Sequence, residues 1–389
     1  MTRRQLVRSF RDIADLRLVD QPVVTLFSGG LDSTYLLHRL RHSGARNIHA
    51  VSVDLGGEEA WPEVASIADR LGVAWHLIDA RSDFVESFVR PAIAAQAVYL
   101  DTHPISSSLS RPLIAQVVLD VAREVDAAAV LHTANRSQNT LRRLNGAFHY
   151  LGFEGQYGSP YDLTPVDRDQ KIKELSVVGL DEMSRRIVSG DNNLWCREFE
   201  SGIIDNPEHH VVPTSLYRWT RADEPSGPRM LDIGFKAGVP VSVNGVDLPL
   251  SGVIATLNTD VGRYGIGRYS GLEHLADDVK VLEVREMPAA AILLRSYRHI
   301  ESAVTGAEEM REKMHLEQLW VREALEGRWF GALRHACQSF IDVFASKVTG
   351  SVRWNLSYGR AETVSITADN PLYVQNREAW ERTSIESEG

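Results

Sequence analysis

Short apolar runs alternate with amphipathic stretches through the first third of the chain. Residues 23–27 (VVTLF), 47–55 (NIHAVSVDL), 74–79 (AWHLID) and 127–131 (AAAVL) are brief and mostly apolar, and they read as strands. Between them the apolar positions recur at helical spacing. One helix begins around Asp32 and Ser33 and stops at Ser43-Gly44. The next opens at Gly56-Gly57-Glu58-Glu59 and runs to about Gly72. Further helices cover 83–97, with Phe84, Phe88 and Ile93 inward, and 112–125. Ahead of the first strand, Leu6, Phe10, Ile13 and Leu16 fall on one side of an added amphipathic helix. Strands alternating with helices predict an α/β fold with a doubly wound parallel sheet. Such sheets bind ligands beyond the carboxyl ends of their strands, so the loops 28–33, 54–59 and 132–143 share one predicted rim.

Beyond about Asp181 the pattern changes. Residues 239–248 (VPVSVNGVDL) read as a hairpin that turns at Asn244-Gly245. Residues 316–325 and 333–344 read as amphipathic helices, and 352–358 with 362–366 as a closing hairpin. The predicted division is an extension at 1–21, a parallel-sheet domain at 22–180, an α+β domain at 181–372 and a short polar tail at 373–389. A length of 389 residues agrees with more than one core.

Composition narrows the partners. The formal net charge of −10 argues against nucleic acid, which requires a basic face. The two cysteines, Cys196 and Cys337, have no CxxC spacing, which removes a zinc ribbon and suits a cytoplasmic protein. No apolar run is long enough to span a membrane. The early arginines are interleaved with Asp12, Asp15 and Asp20, so the N-terminus does not read as a targeting peptide. His209-His210 has no third ligand nearby by spacing, and a metal role is not assigned to it.

Candidate chemistry concentrates at 28–33, SGGLDS, between a strand and a helix. Backbone N–H groups point outward at such a junction, and the helix dipole favours an anion. Adjacent Gly29 and Gly30 let the main chain approach a phosphate closely, while Ser28 and Ser33 supply hydroxyls. The loop is neither GxxxxGK[ST] nor GxGxxG. It matches the signature of the PP-loop ATP pyrophosphatases, and that resemblance implies cleavage of ATP between its α- and β-phosphates.

Downstream come SSSLSRP (106–112), HTANRSQNTLRR (132–143), SGDNNLW (189–195), ESGIIDNP (200–207), GRYGIGR (262–268), GRWF (327–330) and VTGSV (348–352). In order and spacing this set resembles the argininosuccinate synthase family over roughly residues 22–375. The resemblance implies a two-step, AMP-forming C–N ligation with ATP and Mg²⁺. A ureido oxygen of a citrulline-like amino acid attacks the α-phosphorus, and an amine then displaces AMP. It assigns the nucleotide to Phe27, Ser28, Gly29, Gly30, Leu31, Asp32, Ser33, Val53, Thr133 and Arg136. Ser28, Asp32 and Ser33 carry the catalytic roles, and Asp32 helps to place Mg²⁺. The partners it implies are small amino-acid substrates and further copies of the chain, as a dimer or tetramer.

The acceptor pocket implied by the resemblance is partly retained. Ser108, Asn139, Arg143, Ser189 and Glu273 stand where the family contacts citrulline, Arg143 facing a carboxylate and Glu273 an ammonium. Three positions depart: His103 and Arg285 replace tyrosines, and Glu198 replaces a serine. Glu198 and Arg285 either pair with each other or read a different substrate end. His103, beside Pro104, belongs either to the pocket or to the surface. Where the family binds aspartate, Asn135 replaces a threonine and Thr140 an aspartate. The glycines and lysine near the phosphates are absent, with Thr133 in the first glycine's place and Arg136 as a substitute charge. These changes predict divergent substrate use, possible in specialised metabolism. His132 reads as a packing histidine, Asp54 as a helix cap and 262–267 as a turn between domains. The short tail puts the family's tetramer in doubt. A non-catalytic nucleotide or amino-acid sensor is the alternative, against which the intact SGGLDS loop argues. A PP-loop RNA-modifying enzyme fits neither the acidic charge nor the C-terminal half.

Overall fold

A six-stranded parallel sheet organises the first half of the molecule, in the order Leu6–Val7, Gln156–Gly158, Ala129–Leu131, Val23–Leu26, Ile48–Asp54 and Ala74–Asp79. The computed structural model describes residues 6–16, 18–57, 59–181, 183, 189–221, 227–275 and 278–388. Central strands are apolar on both faces because helices cover both. Val23, Val24, Ala129, Val130 and Leu131 are wholly buried. The edge strand Ala74–Asp79 leaves Leu77 exposed. The helices Leu31–His42, Trp61–Arg70 and Ser107–Glu124 follow the predicted strands as expected for the α/β class.

The chain leaves Val23–Leu26 in one direction to form two further strands, then crosses back to add Ala129–Leu131 on the other side. This reversal opens a crevice between the loops that follow the two strands.

The N-terminal segment departs from its predicted form. Leu6–Val7 is a strand, and only Phe10–Asp15 is helical, capped by Ser9 and Asp12. The segment is a structural part of the sheet: Val7 lies buried beside Tyr157 and Gly158, and Arg8 binds Asp162 at 2.5 Å. The helix predicted at 83–97 is broken into Arg81–Phe84, a wider π-helical turn Val85–Val89, and Arg90–Ala94. Pro91 has no N–H for a regular turn, and the wider turn absorbs the loss.

Two antiparallel sheets build the second half. One runs Arg268–His274, Lys280–Glu286, Arg197–Glu200, Ser189–Asn192. The other runs Val246–Asp247, Val239–Val243, Arg229–Lys236, Gly350–Ser357, Arg360–Ala368. Asn244 and Gly245 both have positive φ, at 52° and 78°, as the predicted hairpin turn requires. The helices Leu250–Gly262, Pro288–Val304, Ala307–Leu325 and Ala332–Ala345 pack around the second sheet's core, which includes Trp354, Ile233 and Trp320. Residues 262–267 connect a helix to a strand inside this half, not between halves. The short polar tail contains a helix, Arg377–Glu388.

Candidate functional site

The loop after Val23–Leu26 is held by its own side chains. Ser28 Oγ lies 3.3 Å from Ser33 Oγ and accepts from the Gly30 N–H at 3.3 Å, while Ser33 Oγ donates to the Gly30 carbonyl at 3.1 Å. Gly29 has φ +67°, and a Cβ there would stand 2.8 Å from Val64 Cγ2. Both facts demand glycine. The helix Leu31–His42 starts at Gly30 with no side-chain cap, so its first N–H groups stay available to an anion.

This loop forms one wall of a cleft of about 1290 Å³ that spans the two halves. Phe27, Ser28, Gly30, Leu31, Asp32, Ser33, Val53, Thr133, Asn135, Asn139, Thr140, Arg143, Glu198 and Glu273 all line it. Gly29, His103, Ser108, Arg136 and Arg285 stand outside that lining. Ser189 begins a strand opposite Glu200, but its side chain lies outside the described residues.

Near the loop, Lys171 Nζ donates to Asp32 Oδ1 at 2.5 Å, and Tyr161 donates to the Asp32 carbonyl at 3.0 Å. Lys171 also faces the Tyr161 ring at 5.2 Å. It lines the cleft together with Arg168, one helical turn before it. Asp32 is thus a single carboxylate with one oxygen engaged by a cation. No group of three or more metal-ligating side chains occurs among the described residues. Arg136, expected beside the phosphates, is exposed and donates to Asp162 at 2.8 Å instead.

At the far wall the polar side chains are already paired with one another. Arg143 donates to Ser107 Oγ at 2.8 Å, to Glu273 at 3.1 Å and to the Leu325 carbonyl at 3.2 Å. Arg143 and Glu273, each expected to face a substrate group, form a buried ion pair with each other while both line the cleft. Burial pushes the Glu273 carboxyl up, but a hydrogen bond with Glu283 and the charges of Arg143 and Arg285 hold it well below the usual range. Glu198 and Arg285 pair at 2.8 Å, while Glu198 also lines the cleft. Arg285 also donates to Glu283. Ser108 is buried on the helix Ser107–Glu124 and is not among the residues that line the cleft.

His103 is buried in the short strand His103–Pro104, 4.6 Å from the Tyr269 ring, with Thr102 Oγ1 2.9 Å from Nδ1. It is neither a surface residue nor part of the cleft wall. Burial pulls its pKa down to about 3, so it is neutral. His132 is likewise buried. Its Nε2 lies 3.0 Å from Asn145 Oδ1, and Nδ1 accepts from the Ala134 N–H at 3.3 Å. Asp54 accepts from the Gly56 N–H at 2.8 Å and does not cap the next helix, which begins later at Trp61.

The expected second-substrate stretch is also internally engaged. Asn135 Oδ1 accepts from the Ser137 N–H and hydroxyl at 2.9 and 2.6 Å. Asn139 donates to the His274 carbonyl at 2.8 Å, and Thr140 Oγ1 accepts from Arg111 at 3.2 Å.

Comparison with known proteins accounts for both halves. Residues 22–172 match the arginosuccinate synthase N-terminal HUP domain, and 188–388 match the arginosuccinate synthase C-terminal domain. The chain belongs to the argininosuccinate synthase family. The argininosuccinate synthase of Hyperthermus butylicus is 35% identical over 336 residues, covering 85% of this chain and 84% of that protein. Those of Pyrococcus furiosus and Methanopyrus kandleri are 31% and 33% identical, with 93% and 94% of this chain and 88% and 93% of each relative covered.

Within this synthase family member, several cleft residues escaped the sequence reading. Arg111, Asp191 and Glu200 lie inside motifs that were recognised, but nothing local marked them. Lys171 and Glu283 lie in stretches with no motif, and only the tertiary fold brings them to the cleft.

Proposed function

We propose that the cleft carries out an AMP-forming C–N ligation on a substrate that differs from the family's citrulline and aspartate. One observation carries this reading: the Ser28–Ser33 loop, with its uncapped helix start, opens into the same cleft as the family's acceptor positions. In the first step an acceptor oxygen attacks the α-phosphorus of ATP. The bond between that phosphorus and the bridging oxygen to the β-phosphate breaks, and pyrophosphate departs toward the loop. In the second step an amine forms a C–N bond, the C–O bond to the adenylate breaks, and AMP leaves with its electron pair. The amine loses a proton to solvent or to a neighbouring carboxylate. The protein's part is to position the two reactants and stabilise charge.

Magnesium would arrive with the nucleotide and neutralise charge on its phosphates. Asp32 suits this role, because Mg²⁺ bound to phosphates needs only one or two protein carboxylates. Its Lys171 partner would then move to a phosphate oxygen. The internal bonds of Asn135 and Thr140, and the Arg143–Glu273 pair, support divergent substrate use. The division at 22–180 and 181–372 belongs to the same reading, with the cleft between them.

The test is incubation with Mg·ATP and single acceptors, followed by mass spectrometry of nucleotides and pyrophosphate. AMP and pyrophosphate are the expected products once acceptor and amine are both present. Formation of ADP would exclude the mechanism. ATP binding without turnover across a broad acceptor panel would favour the sensor alternative.

A further inference from the structure

The strand Arg197–Glu200 lies between Ser189–Asn192 and Lys280–Glu286. Glu198 and Glu200 are two residues apart, so their side chains leave the same face of the sheet. Both line the cleft. Glu198 stands opposite Asp191 on one side and Arg285 on the other, and Glu200 stands opposite Glu283. This face therefore sets acidic side chains opposite each other in two cross-strand pairs, which is destabilising where both are ionised. Burial pushes the Glu283 carboxyl well up and it hydrogen-bonds Glu273, so the ionised opposition is Glu198 against Asp191, with Glu200 beside a protonated acid.

The nearby cations do not balance it. Arg111 serves Asp191 at 2.6 Å. Arg285 is shared between Glu198 and Glu283. Glu200 receives only a neutral amide, from Gln138 at 2.9 Å. Glu273 is matched by Arg143. Glu198 is 7% exposed, and its Oε1 accepts no hydrogen bond although Arg285 stands beside it. Burial pushes the Glu198 carboxyl up to about 7 and raises Glu200 as well, with Asp191 and Glu273 adding to both. At the opposite end of the cleft stand Lys171, Arg168 and the uncapped helix start. The cleft is polarised, with one end suited to phosphate and the other short of positive charge.

We propose that the acceptor taken by this cleft carries a positively charged nitrogen group, a primary ammonium or a guanidinium, seated against Glu198 and Glu200. This rests on the reading of the cleft as the site of ligation. A cation at that place gives the Glu198 Oε1 a hydrogen-bond donor and offsets the Glu198–Asp191 pair and the Glu200 carboxylate. Beside Glu198 and Glu200, Arg143 and Arg285 are paired with Glu273, Glu198 and Glu283, so a substrate carboxylate there has to compete with those partners. The subsite thus selects a ureido-type or related acceptor that bears an amine without a neighbouring carboxylate.

Three probes of similar length separate the possibilities: N-carbamoylputrescine, which is cationic, citrulline, which is zwitterionic, and N-butylurea, which is neutral. Calorimetric titration of the full-length protein with each probe, in the presence of a non-hydrolysable ATP analogue, reads the charge preference. The cationic probe is expected to bind at least about tenfold more tightly than the other two, and Glu198→Gln to remove most of that margin. Glu200→Gln is the second variant, with thermal melting as the check on folding for each. Citrulline or N-butylurea binding as tightly as the cationic probe would overturn the proposal, and so would a margin that survives in both folded variants. Pyrophosphate release is measured separately with the same probes. A cationic preference without release would leave the subsite standing and remove the ligation reading.

Discussion

Lys171 joins the phosphate loop to a helix far along the chain. Its ammonium is 2.5 Å from Asp32 Oδ1, and that carboxylate is 39% exposed to the cleft. A half-solvated pair of this kind adds little to stability, so its value lies in what it holds in place. Without a nucleotide, Lys171 keeps the Asp32 side chain fixed at the helix start. With phosphates present, it is within reach of the same anion. Lys171→Ala is expected to weaken ATP binding by roughly tenfold, measured by titration calorimetry, with little change in melting temperature. Lys171→Arg should restore part of the affinity, because charge is kept while its placement changes. Asp32→Ala is expected to abolish most pyrophosphate release, and unchanged release would remove Asp32 from the mechanism.

At the scale of elements, the strand–loop–helix unit depends on how the next helix packs behind it. Gly29 sits in a left-handed conformation against Val64 of Trp61–Arg70. Gly29→Ala adds a strained φ and a contact of 2.8 Å, which together cost about 1–3 kcal/mol. The expected result is a lowered melting temperature and a loss of ATP affinity, since the loop must shift to relieve the clash. Melting and nucleotide titration of one preparation check both. The central strands and this loop were legible because their signals are local: apolar runs, paired glycines and a serine–aspartate helix start. The two-residue strand Leu6–Val7 was not, because Leu6, Phe10, Ile13 and Leu16 satisfy a helical spacing equally well. Its partner Tyr157 decides the matter, and that pairing is invisible to local spacing. The same limit hid the acidic face. Glu198 and Arg285 stood out as departures, but Asp191 meets Glu198, and Glu283 meets Glu200, only through cross-strand register.

For the whole molecule, buried histidines tie stability to pH. Burial pulls His132 from 6.5 down to about 4. Because the folded-state value lies below the unfolded one, the stabilisation is fully present above about pH 6.5 and is lost as pH falls toward 4. The full shift corresponds to on the order of 3 kcal/mol. His132→Gln removes the titrating group, so the stability gap between parent and variant should narrow as pH falls through that window. Denaturant unfolding at about pH 7 and about pH 4 measures it, and a gap independent of pH would exclude His132 as the cause. His103 adds to the acid sensitivity of both proteins, whereas Glu198, with its raised value, acts in the opposite direction and is common to both. Comparison of the two proteins isolates His132.

The sixth strand of the parallel sheet has a consequence for synthesis. Leu6–Val7 is made well before its partners Tyr157 and Gly158, which follow only after the rest of the sheet. Until then neither the Ala129–Leu131 edge nor the N-terminal strand has its neighbour. Pairing across such a sequence separation is slow, and an open apolar edge invites association between chains. This early strand is therefore among the last to join its sheet. A nascent chain that stalls before Gln156–Gly158 is made exposes both edges awaiting that strand, Leu6–Val7 and Ala129–Leu131, which makes this stretch of translation the interval in which a chaperone has most to shield.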